Sequence, residues 1–205
     1  MNNHLVFGFL IVGSISCYCQ SENNTCGFST KNGWSNALPS SNNLREVFVD
    51  DPSGVPEVVA EIEQALHFDA DIDIFLADGI NNAYATIANG KRELIIDVGF
   101  LENCNQQISN NWFGISVIAH EIGHHIAGFS DDRHYNELSA DYWSGQVLQR
   151  LGASLESSMK GMRKFGGESD VQSHPSKYRR MKSIQHGFED AKAGRIDYTM
   201  CLNCK

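Results

Sequence analysis

At 205 residues, 41% hydrophobic and 20% charged, the chain has the size and composition of one globular domain with a sizeable core. A net charge of −9 without any basic stripe argues against nucleic acid as a partner. No internal repeat or low-complexity tract is visible, so solenoid architectures are set aside.

Residues 1–19 read as a secretory signal segment. Met1 to Cys19 carries no Lys, Arg, Asp or Glu, and Leu5 to Ile15 is an apolar run too short to span a membrane. The chain is therefore expected to be exported, either secreted or periplasmic, with no transmembrane helix in its mature form. Cleavage before Gln20 puts Cys17 and Cys19 at the small-residue positions of the site. Cleavage before Cys17 would instead give a lipid-anchored protein, although Ser14-Ile15-Ser16 is a poor lead into such a site. Four cysteines remain: Cys26, Cys104, Cys201 and Cys204. In an oxidising compartment they read as two disulfides with three possible pairings. A tail stapled from Cys201 and Cys204 to Cys26 and Cys104 is favoured, and a Cys201–Cys204 bridge stays open.

Residues 20–54 form a loop-rich lead, with Trp34 and Leu38 as anchors and a short strand over Leu44 to Val49. Asp51-Pro52-Ser53-Gly54 is a turn. The main domain then occupies residues 55–205. Pro56 opens a helix to about His67, where Pro suits a first helical position. Asp71 to Ala77 alternates as a half-buried strand, with Ile72, Ile74 and Leu76 on one face. Tyr84 to Ala88 and Arg92 to Val98 are strands joined by the hairpin signal Asn89-Gly90.

Trp112 to Ala127 carries apolar residues at Trp112, Ile115, Ala119, Ile122 and Ile126, which is helical spacing, and Gly128 follows as a stop. Inside lies His120-Glu121-Ile122-Gly123-His124. Residues four apart share a helix face, so His120 and His124 can reach one metal ion. Glu121 stands about 100° further round, close enough to touch a water at the metal without ligating it. This is the H-e-x-x-H pattern of zinc hydrolases, whose zinc takes three protein ligands and leaves one position open.

A second helical pattern starts at Asn136 and runs toward Gly152, with Leu138, Tyr142, Trp143, Val147, Leu148 and Leu151 as its apolar face. A connection of about eight residues, Gly128 to Tyr135, favours an antiparallel pair. Glu137 then falls beside His124 as the third ligand, and Asp141 beside His120. Asp141 is expected to accept the other ring N–H of a ligand histidine. Asp132 and His134 are the fallback ligands, and His125 is expected to point away. Tyr84, Tyr135 and Tyr142 are each candidates to donate to a reacting group. Residues 153–165 look helical, Gly166-Gly167 breaks them, and His174-Pro175 starts a last helix with Tyr178, Met181, Ile184, Phe188 and Ala191 on one face. The fold class is α+β: a short mixed or antiparallel sheet on an active-site helix, followed by a mostly helical C-terminal part.

These motifs resemble those of gluzincin metallopeptidases, in particular the soluble HtpX-like and CAAX prenyl-protease-like branch. Asn82-Ala83-Tyr84-Ala85 is similar to that family's Asn-Ala-Phe/Tyr strand. His120 to His124 matches its zinc helix, and Glu137-Leu138-Ser139-Ala140-Asp141 its Glu-x-x-Ala-Asp helix. Ser173-His174-Pro175, with Arg179 downstream, is similar to its Ser/Thr-His-Pro…Arg segment. The resemblance covers roughly residues 55 to 190 and implies a zincin-like domain holding one zinc ion. It implies hydrolysis of a peptide or protein substrate, with Glu121 as general base and His174 stabilising the oxyanion or touching substrate. Asn82, Ala83 and Tyr84 would pair with an extended substrate backbone. Two departures stand out: a shorter interval between His124 and Glu137, and no transmembrane helices, which suggests a more open cleft. The competing reading is a non-catalytic zinc-stabilised module that holds a peptide or partner protein.

Overall fold

The computed structural model describes residues 15–20, 25–30, 44–69, 71–171 and 174–200. Trp34, Leu38, Cys201 and Cys204 lie outside these. The fold is α+β, as expected. Its strands are β1 (Ile15–Gln20), β2 (Thr25–Thr30), β3 (Leu44–Val47), β4 (Ile72–Ala77), β5 (Asn82–Ala88) and β6 (Lys91–Ile96). They form one mixed sheet in the order β1-β2-β5-β6-β4-β3. Only β4 and β6 pair in parallel; the other neighbours are antiparallel. Asn89 and Gly90 take φ values of 52° and 80°, the left-handed pair that a two-residue hairpin needs.

The helices are α1 (Val55–Leu66), α2 (Val98–Ile108), α3 (Trp112–Ala127), α4 (Arg133–Arg150), α5 (Leu155–Phe165) and α6 (Lys177–Lys192). Helix α2 is absent from the sequence reading, which carried the returning strand on to Val98. The structure ends that strand at Ile96, and Asp97 caps a new helix by accepting the Phe100 N–H at 3.1 Å. Gly99, Asn103 and Asn105 give this stretch weak helical propensity, which hid it. Its buried face of Phe100, Leu101, Cys104 and Ile108 is nevertheless helical in spacing.

Helix α3 spans the residues its pattern predicts and lies against β2, β5 and β6. Every residue from Val117 to Ala127 is buried, so it is a central helix rather than a surface one. Helix α4 begins at Arg133, three residues earlier than the sequence suggests, because Asp132 caps it through the Tyr135 N–H. Asn136 then ties off the short connection. Its amide accepts from Ser130 N–H at 2.8 Å and donates to the Ser130 carbonyl at 2.7 Å.

Helix α6 begins at Lys177 rather than at His174-Pro175. His174 instead forms a two-way backbone bridge with Val171. Tyr178 is 70% exposed and leaves the packed face. Helices α4 and α6 approach closely because each offers a glycine. A Cβ on Gly187 would strike the Tyr142 carbonyl, and one on Gly145 the Ile184 carbonyl. Backbone cannot step aside as a side-chain tip can. Gly187→Ala is therefore expected to destabilise the fold by about 1–3 kcal/mol, the usual overpacking cost, read from its denaturant midpoint. A midpoint unchanged from the parent would mean the two helices are not held at this distance.

Candidate metal centre

Three buried donors converge where α3 meets the start of α4. His120 Nε2 lies 3.1 Å from His124 Nε2. Glu137 Oε2 is 3.7 Å from the first nitrogen, and its Oε1 is 3.8 Å from the second. Donors held about 2.0–2.2 Å from one tetrahedral ion stand roughly 3.3–3.6 Å apart, and these separations straddle that range. His120, His124 and Glu137 thus lie close enough to hold a metal ion. The antiparallel α3–α4 pair makes this possible, as the sequence suggests: Gly123 passes against Ala140, and Ser144 Oγ donates to the Ser116 carbonyl at 3.0 Å.

The protonation states suit a cation. Burial lowers the His120 pKa, and the neighbouring Asp141 charge only partly restores it. Burial and the adjacent His120 hold His124 well below its ordinary value. Both rings are therefore neutral. His120 Nδ1 donates to Asp141 Oδ1 at 2.9 Å, which fixes the tautomer and turns a bare Nε2 lone pair toward the other donors. Gathering three lone-pair donors in a dry pocket is unfavourable unless a positive charge joins them.

Asp141 plays the part read for it, and its own charge is held by a residue the sequence reading missed. Arg180 donates through Nε and Nη2 to the two Asp141 oxygens, both at 2.7 Å. Burial pushes the Asp141 carboxyl up, but the Arg180 guanidinium and His120 outweigh it and hold the pKa below the usual range. Arg180 Nη2 also stands 3.6 Å from Glu137 Oε2. The resemblance points to Arg179 instead. That side chain faces outward, bonded to Asp170 at 2.8 Å and to His134. The signal lay in the spacing: Arg180 is one turn before Ile184, which packs into the core, whereas Arg179 is not. Asp141→Asn should weaken the centre's affinity for an added divalent metal about 10–100-fold, read by competition with a chromophoric chelator. An unchanged affinity would remove Asp141 from this role.

Glu121, the neighbour of His120 on α3, is fully buried. Its Oε2 accepts the backbone N–H of Ala85 at 2.9 Å, which pins the carboxylate against strand β5. Its Oε1 has no hydrogen-bond partner among the described residues. Burial, and then the Glu137 charge, raise the Glu121 pKa well above the ordinary carboxyl value. A bound cation would pull it back down.

His174 is buried, and burial, followed by the nearby Arg180 charge, lowers its pKa to about 3, so it is neutral. His125 is not among the converging donors; it is buried, and its Nε2 reaches the Glu93 carbonyl at 3.1 Å. The fallback ligands stay out of the centre: Asp132 is a helix cap, and His134 bonds the Val171 carbonyl. Tyr135 and Tyr142 spend their hydroxyls on the tail, on the Thr199 carbonyl and the Asp197 N–H respectively. Tyr84 is half-buried on β5, beside Ala83 and the fully enclosed Asn82. Cys104 is a buried free thiol on α2, pushed up to about 12 by burial. The lack of transmembrane helices suggested a more open cleft, but the site is enclosed: His120, Glu121, His124 and Glu137 are each 1% exposed or less. Among the described residues no helix is long and apolar enough to cross a membrane. Compared with protein-family models, curated proteins and solved structures, the chain matches none.

Proposed function

We propose that the chain is an exported zinc-dependent endopeptidase. The observation that carries the reading is the joint placement of two sets of groups. His120, His124 and Glu137 converge as metal donors, and the Glu121 carboxylate is pinned to the Ala85 N–H of a neighbouring strand. Two neutral imidazoles and one carboxylate favour Zn²⁺ over the oxygen-seeking Mg²⁺ and Ca²⁺. Such an ion would lower the pKa of an attacking water and polarise the scissile carbonyl. Glu121 would take the proton of that water and pass it to the leaving amine. His174, neutral and buried, would offer an N–H to the carbonyl oxygen. The β5 stretch Asn82 to Tyr84 would hold an extended substrate by backbone pairing.

The test is hydrolysis of an unfolded protein by zinc-loaded and chelator-treated protein. One zinc per chain, with cleavage lost on chelation and regained on adding zinc, is the expected result. No bound zinc would sink the metal reading. The enclosure of the four central residues favours one competitor, a zinc-stabilised module that holds a peptide without cutting it. Stoichiometric zinc with no cleavage of any unfolded substrate would support that module instead.

A further inference from the structure

Strand β5 is the element that meets Glu121, and its far edge is already taken. The register pairs Cys26 with Ala85, Gly27 with Tyr84, Phe28 with Ala83 and Ser29 with Asn82, all antiparallel. The direction of the β5 backbone groups follows from one bond. The Asn82 carbonyl accepts from Asp97 N–H, on the β6 side. Alternation along a strand then turns the polar groups of Ala83 and Ala85 toward β2. The Ala85 N–H that holds Glu121 is therefore on the edge that β2 covers. Strand β2 also packs against α3, the helix that supplies Glu121 and both histidines. The enclosure of these groups, each 1% exposed or less, agrees with a covered edge. A peptide that must reach Glu121 by pairing with β5 finds that position filled by the chain's own lead segment.

We propose that β2 is a displaceable stand-in for an extended peptide, and that peptide ligands enter by replacing it on β5. The identity of the ligand rests on the peptidase reading; the exchange of strands does not. Strand addition at a sheet edge gains affinity from main-chain bonds, so any extended segment without proline can compete for the same row of groups. While β2 stays paired, the site is latent. Displacement, cutting of the lead or a partner that binds it would open the site.

The experiment uses the full zinc-loaded chain carrying Glu121→Gln, so that nothing is consumed. The probe is a fluorescein-labelled Thr-Ser-Gly-Phe-Ser-Thr peptide, which copies Thr25–Thr30 with serine in place of cysteine. Phe28→Pro and Ser29→Pro are introduced separately, each to unpair β2, and Glu46→Pro in β3, at the opposite edge of the sheet, serves as a control. Both β2 variants should bind the probe at least about tenfold more tightly than the parent, as when an open state rises from a tenth to most of the population. Glu46→Pro should match the parent. Equal binding by parent and β2 variants, with zinc content unchanged, would overturn the proposal. Should both proline variants lose zinc, amide hydrogen exchange on the parent decides. Excess probe must deprotect residues 25–30 while 83–85 stay protected, and their continued protection overturns the strand exchange. Probe binding as expected, but no hydrolysis by any Glu121-containing version, would sink the peptidase reading and leave the exchange standing.

Discussion

Glu121→Gln should abolish hydrolysis while leaving the zinc in place. Glutamine keeps the shape and length of the side chain, and its amide oxygen can still accept the Ala85 N–H that holds Glu121 Oε2 at 2.9 Å. What it loses is the ability to carry a proton. The expected fall in kcat/KM on an unfolded protein is about 10²–10⁴-fold, the range for a removed acid–base group. The zinc stoichiometry of the variant should equal that of the parent, because Glu121 is outside the donor set. The same variant should be more thermally stable when stripped of metal. Burial and the Glu137 charge raise the Glu121 pKa in the folded chain, so its ionised form opposes folding above the ordinary carboxyl value. Glutamine removes that opposition, and a gain in melting temperature with a loss of activity is the trade a functional site makes. Cleavage by both forms at equal rates would point to a contaminant, and to a different role for Glu121.

Arg180→Met should cost the fold heavily. The guanidinium is buried, makes two bonds to Asp141 at 2.7 Å and stands 3.6 Å from Glu137. Methionine fills the stem's volume and removes the charge, leaving two buried carboxylates short of a counter-ion. Breaking a buried pair by removing one partner costs about 3–5 kcal/mol. For a chain of this length that is a melting shift of roughly 6–20 °C. Zinc affinity should fall with it, since Asp141 loses the groups that orient it toward His120. Pairing the change with Asp141→Asn should recover part of the stability and none of the zinc affinity. Arg180→Lys should fall between, because an ammonium cannot make the two-bond fork. A shift below about 2 °C for Arg180→Met would mean that water, not Arg180, satisfies Asp141.

The centre was legible because its chemistry is local in sequence. His120 and His124 share one face of a helix whose apolar spacing is unambiguous, and the following helix begins too soon to go anywhere but back alongside. That alone put Glu137 and Asp141 at the right ends. Arg180 was missed because it comes from a third helix, delivered by the close α4–α6 approach that Gly145 and Gly187 permit. Its spacing from Ile184 puts it on the packed face of α6, but says nothing of which helix that face meets. Helix α2 was missed for a different reason: its Asp97 cap follows directly on a strand, and asparagines dilute its pattern. The pairing of β2 with β5 was beyond reach because strand partners far apart in sequence leave no local trace, and residues 20 to about 43 read only as loop.

The sheet's outermost strand, β1, spans Ile15–Gln20, and five of its six residues fall inside the expected leader. A leader clipped before Gln20 would take that strand with it. The sheet would go from six strands to five, and β2 would change from an interior strand to a border strand gripped on one side only. Its hold on β5 would then have to survive without the ladder that β1 supplied. Such a cut would take away the latch's backing and leave β2 easier to displace than in the uncut chain.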